Sequence, residues 1–250
     1  MSDLRDHDQP RVPDPGLLTL ATLAFVGFVT ILVTVSLSSG VDTFDSMVAS
    51  RAGQARGAAL TVLARLVTAL GSFPAVVTLA AVAVVGLWIR TRQLWAPAIL
   101  ASSVAATAGL VTLLKIAVGR PRPDAATLLG SPAADYSFPS GHTTDGTLLY
   151  VLAALLLTAG LRPVWRRLAI GAAVALALLI GLSRIYLGYH WATDVLAGWL
   201  LAVGIIAASY FTTRRLAPQD GVEASVTTDQ TVPSHHSVLD HRIRPDHLLR

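Results

Sequence analysis

The run LLTLATLAFVGFVTILVTVSLSSGV, residues 17–41, contains no Asp, Glu, Lys or Arg over 25 positions. A helix rises about 1.5 Å per residue, so about 20 apolar residues cross the hydrocarbon core of a bilayer. This run is therefore predicted to span a membrane, and it is too long for a cleavable signal peptide. Of the 250 residues, 53% are hydrophobic and 14% are charged, and the mean hydropathy is +0.61. That composition excludes an ordinary soluble domain and a disordered protein.

Five further runs lack these charged side chains, and one membrane span is predicted for each: residues 66–89, 93–114, 146–161, 168–183 and 195–213. The fourth and fifth of the six spans have only 16 residues each and need flanking residues to cross a bilayer. The sequence thus predicts an all-α polytopic membrane protein with six transmembrane helices over residues 17–216. Residues 1–16 are predicted to form a cytoplasmic N-terminal tail. Residues 217–250 are predicted to form a disordered cytoplasmic C-terminal tail, because their polar composition cannot bury enough apolar area.

The charged loops indicate the orientation in the membrane. An even number of spans places both termini on one side, and nine Lys and Arg lie near the spans on that side against seven on the other. Because cytoplasmic loops carry an excess of Lys and Arg, the termini are predicted to be cytoplasmic. Residues 42–65 are then predicted to form an outer loop with an interfacial helix.

A first cluster of charged residues follows the third span, where Lys115 and Arg122 are seven residues apart. Each Lys or Arg at membrane depth costs about 2.5–3.5 kcal/mol on insertion scales, so their positions are informative. Pro121 and Pro123 are predicted to end the helix and to turn Arg120 and Arg122 inward. Taken alone, the cluster also fits an anchor in the lipid headgroups.

A second cluster, Phe138-Pro-Ser-Gly-His142, comes directly before the fourth span. The Ser140 hydroxyl and the backbone N–H groups of Gly141 and His142 are predicted at a helix N-terminus, which is a natural seat for an anion. The His142 imidazole can donate or accept a proton near neutral pH. The alternative is a capped helix with an incidental histidine.

A third cluster lies between the fifth and sixth spans and contains Ser183, Arg184, Gly188, His190 and Asp194. Gly188 is predicted to be the C-cap of the fifth span, so that Arg184 closes one helix while His190 opens the next. Asp194 is one helical turn beyond His190 and is predicted to hold one imidazole nitrogen. Such a pair orients a base, a nucleophile or a metal ligand, or it is a purely structural hydrogen bond.

The six predicted spans alternate in direction. One face of the membrane therefore holds the ends of spans three and five and the starts of spans four and six. The three clusters are therefore predicted to converge. Several cations, one helix N-terminus and two histidines together are typical of a phosphate site. The chain has no cysteine, which excludes thiol nucleophiles and zinc-thiolate sites, and its net charge of +4 does not indicate nucleic-acid binding.

Lys-x6-Arg-Pro, Pro-Ser-Gly-His and Ser-Arg-x5-His-x3-Asp together resemble the three signature motifs of the type 2 phosphatidic acid phosphatase superfamily, which includes vanadium haloperoxidases. The resemblance implies hydrolysis through a phosphohistidine, without metal or cofactor. His190 would attack phosphorus, oriented by Asp194, and His142 would serve as acid and then base. The expected phosphate-binding residues are Lys115, Arg122, Ser140, Gly141 and Arg184. Arg120 lies outside the strict motif and is expected to be a supporting cation.

The motifs recognise a phosphoryl group and leave the rest of the substrate open. An isoprenoid diphosphate of the undecaprenyl type is the first expectation, followed by phosphatidic acid and phosphatidylglycerol phosphate, with the site facing outward. A lipid phosphotransferase, a haloperoxidase and a non-enzymatic transporter of anionic lipids are the alternatives. Protein partners are not indicated by the sequence.

Overall fold

The computed structural model describes residues 15–37 and 43–216, and the regular secondary structure in these two ranges is helical. Its helices are α1 (Pro15–Leu37), α2 (Thr43–Gln54), α3 (Ala58–Leu70), α4 (Phe73–Thr91), α5 (Trp95–Val118), α6 (Gly141–Leu157), α7 (Pro163–Tyr186) and α8 (Ala192–Leu216), with a short 3-10 helix at Ala125–Thr127. The predicted C-terminal tail and all but two residues of the predicted N-terminal tail lie outside the described residues. Those two residues, Pro15 and Gly16, begin α1.

Within the described residues, five helices are long and apolar enough to cross a membrane: α1, α4, α5, α7 and α8. Their outer faces carry exposed large apolar side chains such as Leu23, Val82 and Trp165. Such faces are stable where lipid rather than water surrounds the helix, and each helix satisfies its own backbone hydrogen bonds there. The predicted all-α class is confirmed.

The fourth predicted span corresponds to α6, which has 17 residues and rises about 26 Å. It is therefore shorter than the five helices above. The helix begins at Gly141, five residues before the predicted span, because its N-terminus lies within the Ser-Gly-His motif. It ends at Leu157, four residues before the predicted end of the span. Within the fold, α6 packs against α4, α5, α7 and α8, so it is the central helix of the bundle.

The second predicted span, residues 66–89, is not one helix. It is divided between α3 and α4, because Ser72 adopts an extended N-cap conformation and Pro74 occupies the first turn of α4. The segment predicted as a loop with one interfacial helix accordingly contains α2 and most of α3. The charge-free run therefore predicted the wrong helix boundaries, because apolar content does not indicate a local break in the backbone.

The apolar core lies between α4, α5, α6 and α8 and includes Leu87, Leu100, Leu148 and Leu152, which are fully buried. Small residues bring the helices together around it, as is usual in membrane bundles. A Cβ on Gly198 would lie 3.2 Å from the Ser140 carbonyl oxygen, so α8 contacts the N-terminus of α6 closely.

The helix ends that carry the three motifs meet at one end of this bundle. Two backbone hydrogen bonds join them: Ser140 N–H donates to the Asp194 carbonyl at 3.1 Å, and Leu129 N–H donates to the Leu187 carbonyl at 2.9 Å. The first bond ties α6 to α8, and the second ties the segment after α5 to the end of α7. The fold thereby holds the motif segments side by side.

Candidate active site

The last turn of α5 carries Lys115 at the edge of the site. The helix ends at Val118, and Gly119 follows in the left-handed conformation with φ of +63°, so the helix stops before Pro121. The sequence had assigned this break to the prolines, which instead keep the following segment non-helical. The Lys115 ammonium group donates to the Tyr136 carbonyl and lies 2.8 Å from the Asp135 carboxylate.

Arg122 links the first motif to the third. Its Nη1 donates to the Tyr189 carbonyl at 2.7 Å and lies 3.3 Å from Nε2 of His190. Its Nη2 donates to the Asp135 carboxylate at 2.6 Å. Because a guanidinium has donors and no acceptor, the contact requires a lone pair on His190 Nε2.

The Asp135 carboxylate therefore lies between two of the predicted phosphate-binding cations. Its side chain is 54% exposed, and it reaches both Lys115 and Arg122. Burial raises the pKa of Asp135, but the hydrogen bonds and charges of Lys115 and Arg122 outweigh that effect and lower the pKa to about 2. Sequence reasoning missed this residue, because Asp135 belongs to a non-helical segment with no spacing pattern.

The N-terminus of α6 places Ser140, Gly141 and His142 together. Ser140 is the N-cap and is fully buried, and its hydroxyl oxygen accepts a hydrogen bond from the Thr143 hydroxyl at 2.9 Å. The His142 side chain is only partly buried and lies within the electrostatic influence of the cations Arg184, Arg122 and Lys115. The first backbone N–H groups of α6 therefore lie within the Ser-Gly-His motif.

Arg184 closes α7 and is held by two neighbours. Its Nη1 donates to the Thr68 hydroxyl at 3.0 Å, and its guanidinium stacks on the Tyr189 ring with 3.9 Å to the ring centroid. Its Nε is buried and has no hydrogen-bond partner among the described residues. A buried donor without a partner is uncommon, and a ligand oxygen would satisfy it.

The chain reverses direction after α7 through Gly188, which adopts φ of +81°. The C-cap is Leu187, one residue before the predicted position. A Cβ on Gly188 would lie 2.8 Å from the Thr127 carbonyl oxygen, so glycine meets both the conformational and the steric requirement. The N–H groups of Tyr189 and His190 then donate back to the Arg184 carbonyl, at 3.0 and 3.3 Å.

His190 is buried and makes a different contact through each ring nitrogen. Nδ1 lies 3.3 Å from Oδ2 of Asp194, and Nε2 faces Arg122. Burial lowers the pKa of His190 well below its ordinary value, and the charges of Arg184, Arg122 and Lys115 lower it further. The neutral imidazole with its proton on Nδ1 fits these contacts, and it leaves the Nε2 lone pair directed at the site.

Arg120 contacts the carboxylate partner of His190 rather than His190 itself. It is buried and donates to Oδ1 of Asp194 at 2.5 Å and to Oδ2 of Asp45 at 2.7 Å. In the structure, Arg120 contacts one carboxylate oxygen of Asp194 and His190 contacts the other. The sequence predicted Arg120 as a supporting cation for the phosphate. Asp45, on α2, was not singled out by sequence reasoning, because it belongs to none of the three motifs.

A cavity of about 330 Å³ adjoins His190 and Trp191 on the side of α2. Small α2 residues line it, including Ser46, Ala49 and Gly53. Among residues 15–37 and 43–216, no three His, Asp or Glu side chains are grouped as a metal ion would require.

The chain is similar in sequence to known proteins. Residues 96–218 match the family model described as the PAP2 superfamily. Phosphatidylglycerophosphatase B of Bacillus subtilis is 37% identical over 93 residues, which cover 36% of this chain and 45% of that protein. Undecaprenyl-diphosphatase of Sulfolobus acidocaldarius is 35% identical over 114 residues, which cover 45% of this chain and 52% of that protein. The chain spans about half the length of these curated relatives.

A solved structure shares the fold. The crystal structure of a transmembrane PAP2 type phosphatidylglycerolphosphate phosphatase from Bacillus subtilis superposes with a TM-score of 0.73, covering 79% of this chain and 97% of that chain at 24% identity. With five apolar helices and this membrane neighbour, the protein is a multi-pass membrane protein. The family model and the shared fold confirm the resemblance that the three motifs indicated: over residues 96–218 the chain is similar to the PAP2 superfamily.

Proposed function

We propose that this protein is a membrane phosphatase that removes a phosphoryl group from a lipid phosphate or an isoprenoid diphosphate of the undecaprenyl type. The observation that supports this proposal most directly is the arrangement of His190, with Nδ1 against Asp194 and an unprotonated Nε2 beside Arg122. A neutral imidazole oriented by a carboxylate is a nucleophile that needs no metal. The names of the two curated relatives support the reaction class.

The reaction has two steps. In the first, the Nε2 lone pair of His190 forms an N–P bond, the P–O bond to the lipid breaks, and protonated His142 gives its proton to the leaving oxygen. In the second, a water attacks the phosphohistidine, His142 accepts the proton from that water, and inorganic phosphate leaves. The N–P bond breaks in this step and His190 is regenerated.

Three cations bind the phosphoryl oxygens in this proposal: Lys115, Arg122 and Arg184. The unpartnered Nε of Arg184 offers one donor, and the backbone N–H groups of Gly141 and His142 offer others, beside the Ser140 hydroxyl. Charge spreads over these oxygens in the transition state, where preorganised donors are most effective. Asp135 must leave Lys115 and Arg122 before a phosphate binds both.

The substrate is proposed to be a lipid because the site lies at the ends of apolar helices. An isoprenoid diphosphate is placed first, and phosphatidic acid or phosphatidylglycerol phosphate second. One relative is named for a diphosphate of undecaprenol and another for phosphatidylglycerophosphate, and each matches this chain over only part of its length. No nucleic-acid partner is proposed.

The decisive experiment is phosphate release from a panel of lipid monophosphates and diphosphates by the purified protein in detergent. His190→Ala and His142→Ala should each abolish release, and EDTA should not inhibit the parent enzyme. Labelled phosphate should be trapped on the parent enzyme and not on His190→Ala. Activity that survives His190→Ala, or that a chelator removes, contradicts the mechanism. A new phosphorylated lipid without inorganic phosphate would indicate phosphotransfer instead.

We further propose that α6 is the sixth span, that the phosphatase domain covers residues 17–216, and that both termini are cytoplasmic with the site outside. The chain has no cysteine, so a single introduced thiol reports its side of the membrane. Ser46→Cys lies on exposed α2 and Arg167→Cys near the start of α7. A membrane-impermeant maleimide should label the first in intact cells and the second only after permeabilisation. The reverse pattern contradicts the orientation.

A further inference from the structure

The helix α2 contains one fully buried residue, and that residue is charged. All twelve positions of α2 are described, and Asp45 alone among them is buried, with no exposed surface. A buried carboxylate is costly unless hydrogen bonds and an opposite charge compensate it. A surface helix that needed only an anchor would bury an apolar side chain, so the burial of Asp45 calls for another reason.

The partners of Asp45 connect α2 to the start of α8. Its carboxylate accepts hydrogen bonds from the N–H of Thr193 at 2.9 Å and from the Thr193 hydroxyl at 2.6 Å. The third partner is Nη2 of Arg120 at 2.7 Å. The carboxylate is thus fully occupied, and α2 is fixed directly beside the turn that carries His190.

Arg120 links Asp45 to Asp194, the carboxylate that contacts the nucleophile His190. Its other terminal nitrogen donates to Oδ1 of Asp194 at 2.5 Å, while Oδ2 of Asp194 lies 3.3 Å from Nδ1 of His190. The resulting row is Asp45, Arg120, Asp194 and His190, in which no member is more than 7% exposed. Water therefore screens the interactions within this row only weakly.

We propose that Asp45 is a positioning residue for the reaction, acting on His190 through Arg120 and Asp194. The inference rests on the proposed phosphatase function. Asp45 takes a share of the positive charge of Arg120, so that Asp194 remains a strong acceptor for the Nδ1–H of His190. Without Asp45, the whole charge of Arg120 would be neutralised by Asp194 alone.

The formal charges show why this matters in the transition state. Arg120 forms an ion pair with each of the carboxylates Asp45 and Asp194, so with a neutral His190 the row carries one net negative charge. The imidazole becomes positive as it bonds to phosphorus, and the row then becomes neutral. If Asp45 were uncharged, the same step would leave one net positive charge in a buried place, which is less favourable.

Three variants separate charge from packing. Asp45→Asn keeps the shape and removes the charge, Asp45→Glu keeps the charge and adds a methylene to a full site, and Arg51→Gln alters an exposed residue of the same helix as a control. We expect Asp45→Asn to lower kcat about 10- to 100-fold, as loss of a supporting hydrogen-bond partner commonly does. KM for the lipid should change less than about threefold, because the phosphate-binding residues are untouched.

Asp45→Glu should retain more kcat than Asp45→Asn although overpacking makes it no more stable to heat. Arg51→Gln should match the parent enzyme. A role as a mere anchor of α2 predicts instead that kcat follows the melting temperature across the variants. That result, or an unchanged kcat in Asp45→Asn, overturns the proposal.

A second readout does not require turnover. The Nδ1–H proton resonance of His190, identified by its loss in His190→Ala, reports the hydrogen bond to Asp194. It should move upfield in Asp45→Asn as that bond weakens, and it should stay in place in Arg51→Gln. An unmoved resonance in Asp45→Asn overturns the inference. A parent enzyme that releases no phosphate refutes the proposed function, while this resonance still decides the role of Asp45.

Discussion

Replacement of Asp135 by asparagine removes the negative charge that Lys115 and Arg122 now share. The carboxylate lies 2.8 Å from the lysine and 2.6 Å from the arginine. A substrate phosphate that binds both cations must displace it. We therefore expect Asp135→Asn to bind phosphate more tightly than the parent enzyme does.

The size of the gain in phosphate affinity follows from the exposure of the two ion pairs that Asp135 makes. The Asp135 side chain is 54% exposed, so each ion pair is worth only about 0.2–1 kcal/mol. Two pairs then oppose phosphate binding by about 0.4–2 kcal/mol. Since 1.4 kcal/mol corresponds to a factor of ten, affinity should rise about 2- to 30-fold.

Competitive inhibition by inorganic phosphate is the direct assay, with phosphate release from a short-chain lipid phosphate as the readout. Asp124→Asn is the matched control, because it removes an exposed carboxylate of the same segment that does not pair with either cation. Its inhibition constant should stay within about twofold of the parent value, since exposed charges interact weakly. An inhibition constant that is unchanged or larger in Asp135→Asn would refute the reasoning. Because the pKa of Asp135 is held at about 2, the gain should not depend on pH between about 5 and 8.

Three further predictions concern the third motif. Arg184→Lys should lower kcat/KM by about tenfold or more, because a lysine cannot reproduce a planar donor set stacked on Tyr189, and retention of full activity would contradict this role. Gly188→Ala should cost at least about 1–2 kcal/mol for the left-handed backbone alone, and the contact with the Thr127 carbonyl adds to it, so both the melting temperature and kcat should fall. Burial, and then the neighbouring cations, hold the pKa of His190 well below its ordinary value, so a fall in pH through about 6.5 leaves the nucleophile unprotonated. Rapid-quench measurement should therefore show no loss of enzyme phosphorylation as the pH falls through about 6.5, and such a loss would contradict a neutral His190.

The sequence predicted the class of fold because apolar runs and charged loops act over short distances. It did not predict the division of residues 66–89, which depends on the backbone conformation at Ser72 and the proline that follows. The fourth predicted span and α6 differ at both ends, because the span was bounded by the charged residues Asp145 and Arg162, whereas the helix runs from Gly141 to Leu157.

In the candidate site, too, some residues could be predicted from the sequence and others could not. Lys115, Arg122, Arg184 and His190 stand in motifs with fixed spacing, so their residue types and order along the chain pointed to a phosphate site. Asp135 carries no such pattern and reaches the site only because the segment after α5 folds back on it.

The sequence by itself determined that the chain is helical and enters a membrane, and it pointed to phosphate-binding chemistry, since these properties depend on local hydrophobicity and on residue type. Tertiary structure alone decided which charges pair. Asp45 and Arg120 are 75 residues apart, and Arg122 and His190 are 68 residues apart, yet each pair is in contact. The energy of such contacts depends on distance and burial, and both are set only when the helices pack together.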